Sequence, residues 1–78
     1  MKINVKYFGM IAEAVNCSSE QIEMEQQPPL NLRQFFESKY PKLKSFDYKI
    51  AINQQINDVL KNEQPNTEVA LLPPFAGG

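Results

Sequence analysis

Histidine and tryptophan are absent from the 78 residues, cysteine occurs once, at Cys17, and glycine only three times. Each shortage removes a class of function. Without histidine there is no Ser–His–Asp triad, no Cys–His pair and no ordinary zinc ligand set. A single cysteine cannot build a disulfide framework. Eight Lys and Arg against nine Asp and Glu give a formal net charge of −1, which supplies no basic footprint for nucleic acid. No apolar run approaches the roughly 20 residues of a membrane span, and Met1-Lys2-Ile3-Asn4 lacks the character of a signal peptide. What remains, 42% hydrophobic and 22% charged, is expected to be one soluble, cytosolic domain. A chain this short buries only about 60% of its unfolded surface, so its core must be thin and regular.

Hydropathy periods give the order of elements. Lys2 to Tyr7 alternates strictly, with Ile3, Val5 and Tyr7 on one face, and reads as a half-buried strand. Met10 to Val15 has room for a short helical turn that Asn16-Cys17-Ser18-Ser19 ends. Glu20 to Glu25 alternates again, Ile22 and Met24 inward, as a second strand antiparallel to the first. After Pro28-Pro29 comes the clearest helix. Asn31 is its N-cap and Gln34 its N3 residue, Leu30 and Phe35 are spaced for a hydrophobic staple, and Leu32, Phe35, Phe36 and Tyr40 form one stripe. Pro41 stops it. Tyr48 to Asn53 is a third strand, Ile56 to Leu60 a short one, Lys61 to Thr67 a polar turn, and Glu68 to Leu72 a nearly wholly apolar last strand.

Strand, strand, helix, strand, short strand, strand is an α+β order. Its economical solution is a mixed sheet crossed by the helix, with the last strand beside the first in the middle, which resembles the ubiquitin-like β-grasp. Residues 1–72 would be the domain and 73–78 a projecting, flexible tail.

That tail, Pro73-Pro74-Phe75-Ala76-Gly77-Gly78, holds two of the three glycines. Pro73 and Pro74 cannot continue a sheet ladder, so pairing should stop at Leu72, and they favour a stiff exit. Six extended residues reach roughly 20 Å. A frayed terminus is normally polar, whereas this one is apolar up to its glycines. The chemistry such an arm permits is acyl activation. Adenylation turns a terminal carboxylate into a mixed anhydride, and sulfide equivalents displace the adenylate to leave a nucleophilic thiocarboxylate. Residues without Cβ atoms can thread a narrow channel in another protein.

Glu68-Val69-Ala70-Leu71-Leu72-Pro73-Pro74-Phe75-Ala76-Gly77-Gly78 closely resembles the C-terminal signature of the small-subunit family of molybdopterin synthase, ubiquitin-like sulfur carriers. Ile3 to Gly9, Tyr40-Pro41 and Ile50 to Gln54 match the same pattern in order and spacing. The resemblance implies a sulfur carrier for molybdenum cofactor synthesis, without an active site or bound cofactor of its own. Gly78 would be the reacting residue, carried as a glycyl-adenylate and then a thiocarboxylate. Gly77 and Ala76 would occupy the channel, while Phe75, Pro74, Pro73 and Leu72 would meet the partner. Implied partners are the large synthase subunit, in an assembly of two small and two large subunits, a ubiquitin-activating-type adenylyltransferase and a sulfur donor. No nucleic acid, membrane or metal is implied. A carrier for thiazole synthesis shares the glycines, but the Leu72-Pro73-Pro74 exit argues against it. The same tail would also suit a protein modifier, and the domain as a whole a pure interaction module.

The remaining features have plain readings. Phe35, Phe36 and Tyr40 are core by spacing, and Cys17 is incidental. Glu20, Glu23 and Glu25 are expected to face Lys2 and Lys6 across the hairpin as a solvated, charge-paired surface. Lys39 to Lys49 form a solvated helix end. Asn66-Thr67 stands where many of the family carry Gly-Asp, and Asn66 is expected to keep the turn there.

Overall fold

The structure is a computed structural model that describes residues 1–74. Phe75, Ala76, Gly77 and Gly78, on which the expected chemistry falls, lie outside the described residues, as does the reach of the arm beyond Pro74.

The alternating opening segment forms β1 (Lys2–Tyr7), with every second residue buried. A short helix α1 (Met10–Val15) follows and ends on Asn16, whose φ of 68° is the left-handed C-cap that asparagine tolerates. β2 (Ser19–Glu23) pairs antiparallel with β1. A two-residue strand, β3 (Leu30–Asn31), leads directly into the main helix, α2 (Leu32–Lys39). Its N-cap is as read from the sequence: the Gln34 N–H donates to Asn31 Oδ1 at 3.0 Å. Pro41 ends α2 but does not end helical structure, since a 3-10 turn runs over Pro41–Ser45 and seats the fully buried Leu43. β4 (Lys49–Ile52) follows. The expected short strand over Ile56 to Leu60 is in fact two, β5 (Gln55–Ile56) and β6 (Val59–Leu60), and β6 pairs with β3 in a separate small sheet. The last strand is β7 (Thr67–Leu72).

The five-stranded sheet has the order β2-β1-β7-β4-β5. β7 lies parallel to β1 and antiparallel to β4, so the C-terminal strand is central and paired on both edges. This is the β-grasp order expected from the sequence. α2 crosses one face and buries Leu32 and Phe36 completely against Ile3, Val5, Ile50, Val69 and Leu71. Each such side chain contributes about 1.5–3 kcal/mol. Phe35 and Tyr40 are only half-buried at the border of this core. Arg33 fixes the first turn of α2: its Nε and a terminal nitrogen donate to the Asp58 carboxylate at 2.8 and 3.2 Å, and its Cζ stands 4.4 Å from the Tyr48 ring centre.

Two sequence-based expectations need correction here. Thr67 is not turn but the first residue of β7, with the parity of Val69 and Leu71 and no exposure at all. Among the described residues it carries the one buried side-chain polar atom without a hydrogen-bond partner, Oγ1. A buried, unpaired hydroxyl costs about 1–3 kcal/mol. Thr67→Val keeps the shape and removes the group, so it is expected to raise stability by about 1 kcal/mol, a melting increase of roughly 4–8 °C. A lower melting temperature would show that the hydroxyl has a partner. Asn66, for its part, is not in the left-handed region; the residues with positive φ are Gly9, Asn16, Asn53 and Gln54, the last two at the β4–β5 turn.

Candidate functional site

The end of the sheet at which β7 finishes is built from both halves of the chain. Tyr7 stands opposite Leu71 in the parallel ladder, and one residue on, the Phe8 N–H donates to the Leu71 carbonyl at 3.2 Å. Leu72, half-buried, makes the last ladder pair, with Lys49 of β4. Pairing therefore stops where proline makes it stop. Pro73 then packs over Gly9, so closely that a Cβ on Gly9 would lie 3.3 Å from Pro73 Cγ. Gly9 has φ 59° and ψ −134°, a conformation that residues with a Cβ avoid. Pro74 is exposed.

Around this root the surface is apolar. Gly9, Met10, Ile11, Phe46, Pro73 and Pro74, with Asp47 as the one charged member, line a small hollow of about 160 Å³. Phe8 is 43% exposed and Met10 63%, two of the three large hydrophobic side chains that the described residues leave in solvent. Neither stands out by residue type, although the pattern around Phe8 does carry a signal: it continues the outward parity of Lys2, Asn4 and Lys6, which puts an aromatic on the solvent face.

Beneath the same end lies a polar brace. Tyr7 Oη and Tyr40 Oη both donate to Glu20 Oε2, each at 2.5 Å, joining β1 and β2 to the end of α2. Burial and the neighbouring carboxylate push both phenols up, Tyr40 to about 12. Glu20 is therefore not part of a solvated charge-paired surface. It has the inward parity of Ile22 and Met24, and only Glu23 and Glu25 are turned to solvent. Glu23 does lie opposite Lys2, but its ion pair is with the N-terminal amine at 2.9 Å, which holds its carboxyl below the usual range.

Burial, reinforced by Glu20, pushes the Cys17 thiol up, the direction opposite to that of a reactive thiolate. No group of three or more acidic or cysteine side chains among the described residues stands close enough to hold a metal ion, and no helix among them is long and apolar enough to cross a membrane. Of the positions picked out in the sequence, Pro73 and Pro74 line the hollow, and Leu72 is held in the ladder just before them by its pairing with Lys49. What this geometry provides is an exit clamped at Pro73, with the exposed Met10 at its hollow and the exposed Phe8 on the solvent face of the adjoining strand end.

The architecture is that of a ubiquitin-like β-grasp protein. The profile of the ThiS family matches residues 5–78, and the chain belongs to that family. It is 33% identical over 82 aligned positions, covering 100% of this chain and 99% of the relative, to the molybdopterin synthase sulfur carrier subunit of Mycobacterium tuberculosis. Among solved structures it is similar to a protein from Pyrococcus furiosus named molybdopterin converting factor subunit 1, with a TM-score of 0.77, 22% identity, and coverage of 96% of this chain and 99% of that one. It is also similar to SAMP1 of Haloferax volcanii, with a TM-score of 0.73 and 18% identity over the whole of both chains. At these identities the two structures speak for the fold alone.

Proposed function

We propose that this chain is the sulfur carrier subunit of a molybdopterin synthase, with Gly78 as the reacting residue. The observation that carries the reading is the full-length relation to a sulfur carrier subunit. The clamped exit at Leu72 and Pro73 and the two exposed apolar side chains near it, Phe8 and Met10, support it. A terminal carboxylate oxygen attacks the α-phosphorus of ATP in an adenylyltransferase, and pyrophosphate leaves. A sulfide equivalent attacks the acyl carbon and expels AMP, leaving a thiocarboxylate. Inserted into the large synthase subunit, the thiocarboxylate sulfur bonds to a carbon of cyclic pyranopterin monophosphate as a C–O bond of that carbon breaks, its oxygen leaving on the phosphate or as water. This joins carrier and substrate through a thioester, whose acyl C–S bond is the one hydrolysed next. Water then releases the carrier with its carboxylate restored. A dithiolene needs two sulfurs, so the carrier must leave and be reloaded, and its contact with the large subunit must be reversible. The assembly is proposed as two small and two large subunits in the cytosol.

Incubation with the activating enzyme, ATP and a sulfur donor should raise the intact mass by about 16 Da, one oxygen exchanged for sulfur. Conjugates to lysines of other proteins without any thiocarboxylate would instead make the chain a modifier. Docking supplies a further prediction. Phe8→Ala and Phe75→Ala should each weaken large-subunit binding by about 1–3 kcal/mol in titration calorimetry, because aromatic anchors carry much of a small interface. An unchanged Kd for either removes that residue from the interface.

A further inference from the structure

The far edge of the sheet carries a second feature, unconnected with the C-terminal arm. In the β1–β2 ladder the Met24 N–H donates to the Met1 carbonyl at 2.7 Å and the Tyr7 N–H to the Ser18 carbonyl at 3.0 Å. In an antiparallel pair, hydrogen-bonded positions alternate. Ser18, Glu20, Ile22 and Met24 therefore direct their backbone groups at β1, whereas Ser19, Gln21 and Glu23 direct theirs outward. β2 is the outermost strand, and among the described residues none of these outward N–H and C=O groups has a backbone partner. Most proteins blunt such an edge by covering it, bulging it or placing proline on it. Here it is bare, five residues long and regular.

A groove of about 470 Å³ runs along this edge between β2 and α2. The hydrogen bond from Tyr40 to Glu20 puts the C-terminal end of α2 beside the start of β2, so the groove is polar lengthwise. Lys39, exposed, stands at one end. Ile22, Met24 and the half-buried Phe35 form an apolar middle, and Glu25, exposed, stands at the other end. Glu23 adds little charge, because the N-terminal amine neutralises it.

We propose that this edge is a docking site for an extended segment of a partner protein, which adds to the sheet as a sixth strand. Free donors and acceptors at strand spacing recognise backbone. The groove beside them specifies the side chains: an acidic residue toward Lys39, an aliphatic one over Phe35 and a basic one toward Glu25. In the antiparallel sense this reads basic, aliphatic, acidic from the segment's N-terminus, at alternate positions. A second copy of this chain is a poor occupant, since its own edge strand offers Glu20 and Glu23 and no lysine.

The probe is the capped peptide Lys-Thr-Ile-Thr-Asp, titrated into the full-length, isotopically labelled chain. Amide shifts are expected to saturate in the millimolar range or below, confined to residues 19–25 and 35–39, with the Gln21 and Glu23 amides gaining protection from exchange. The same peptide N-methylated at the amides that face β2 should not bind, which separates backbone pairing from mere apolar contact. Glu25→Lys should weaken binding about threefold, the size of one exposed charge pair, and binding should be restored for the peptide Asp-Thr-Ile-Thr-Asp, in which only the residue facing position 25 changes sign. Ser38→Trp, an exposed position on the groove wall, should block it. The proposal is overturned by absence of shifts at about 5 mM peptide, by equal binding of the N-methylated peptide, or by shifts elsewhere. Concentration-dependent broadening at Gln21 and Glu23 without peptide would overturn it in favour of self-association. None of these readouts depends on sulfur loading, so they fail or succeed separately from the carrier role.

Discussion

A chain without Gly78 is expected to take up no sulfur at all, and to melt within about 1 °C of the full-length chain. The two halves of that result have separate causes. The core of the described residues closes at Leu71, and the last ladder pair joins Leu72 to Lys49, so the packing of these residues is complete without Gly78. Loading is different. The shortened chain still ends in a glycine carboxylate, but that carboxylate sits one residue, about 3.5 Å, short of its former position. An activating site that measures depth from a clamped root cannot recover the loss, and a misplacement of even 1 Å can cost about a hundredfold. Intact mass after activation tests the first half and thermal denaturation the second. Full loading of the shortened chain would remove Gly78 from its role, whereas a melting drop of several degrees would make the tail a structural element.

Gly9→Ala is expected to act in the opposite manner, through the body. At φ 59° and ψ −134° an alanine is strained by about 1–3 kcal/mol, and its new Cβ meets Pro73 Cγ at 3.3 Å. For a domain of this size the melting temperature should fall by roughly 5–20 °C. Because Pro73 must move to make room, amide shifts should reach Leu72 and Lys49 across the ladder. Sulfur loading should fall with them, even though Gly9 is far from the terminus along the chain. A variant that melts normally would show that the turn can flip at no cost, and the clamp at the root would lose its basis.

Much of this fold is legible in the sequence because period two and period 3.6 are each dictated by burial. β1, α1, the cap of α2 and the central place of β7 all follow from patterns of apolar residues and one good N-cap. The points of disagreement share one cause, which is that residue type misleads where parity does not. Glu20 is charged and by type belongs in solvent, yet it has the phase of Ile22 and Met24 and points inward, where two phenols satisfy it. Thr67 is polar and by type extends the preceding turn, yet it has the phase of Val69 and Leu71. Phe8 looks like the start of a loop, although its phase sends it outward. The contact between Gly9 and Pro73 cannot be read at all, because it joins positions 64 residues apart through a parallel pairing that no local pattern encodes.

The central position of β7 also bears on how this protein is made. Until Thr67–Leu72 has been synthesised and freed, β1 with β2 and β4 with β5 are two separate hairpin-like pieces, each lacking the member that joins them. Folding must then await the emergence of that stretch from the ribosome, since it is translated after every strand it unites. A prematurely terminated product that lacks it has no assembled sheet, so only chains whose synthesis has passed this point can reach the folded state.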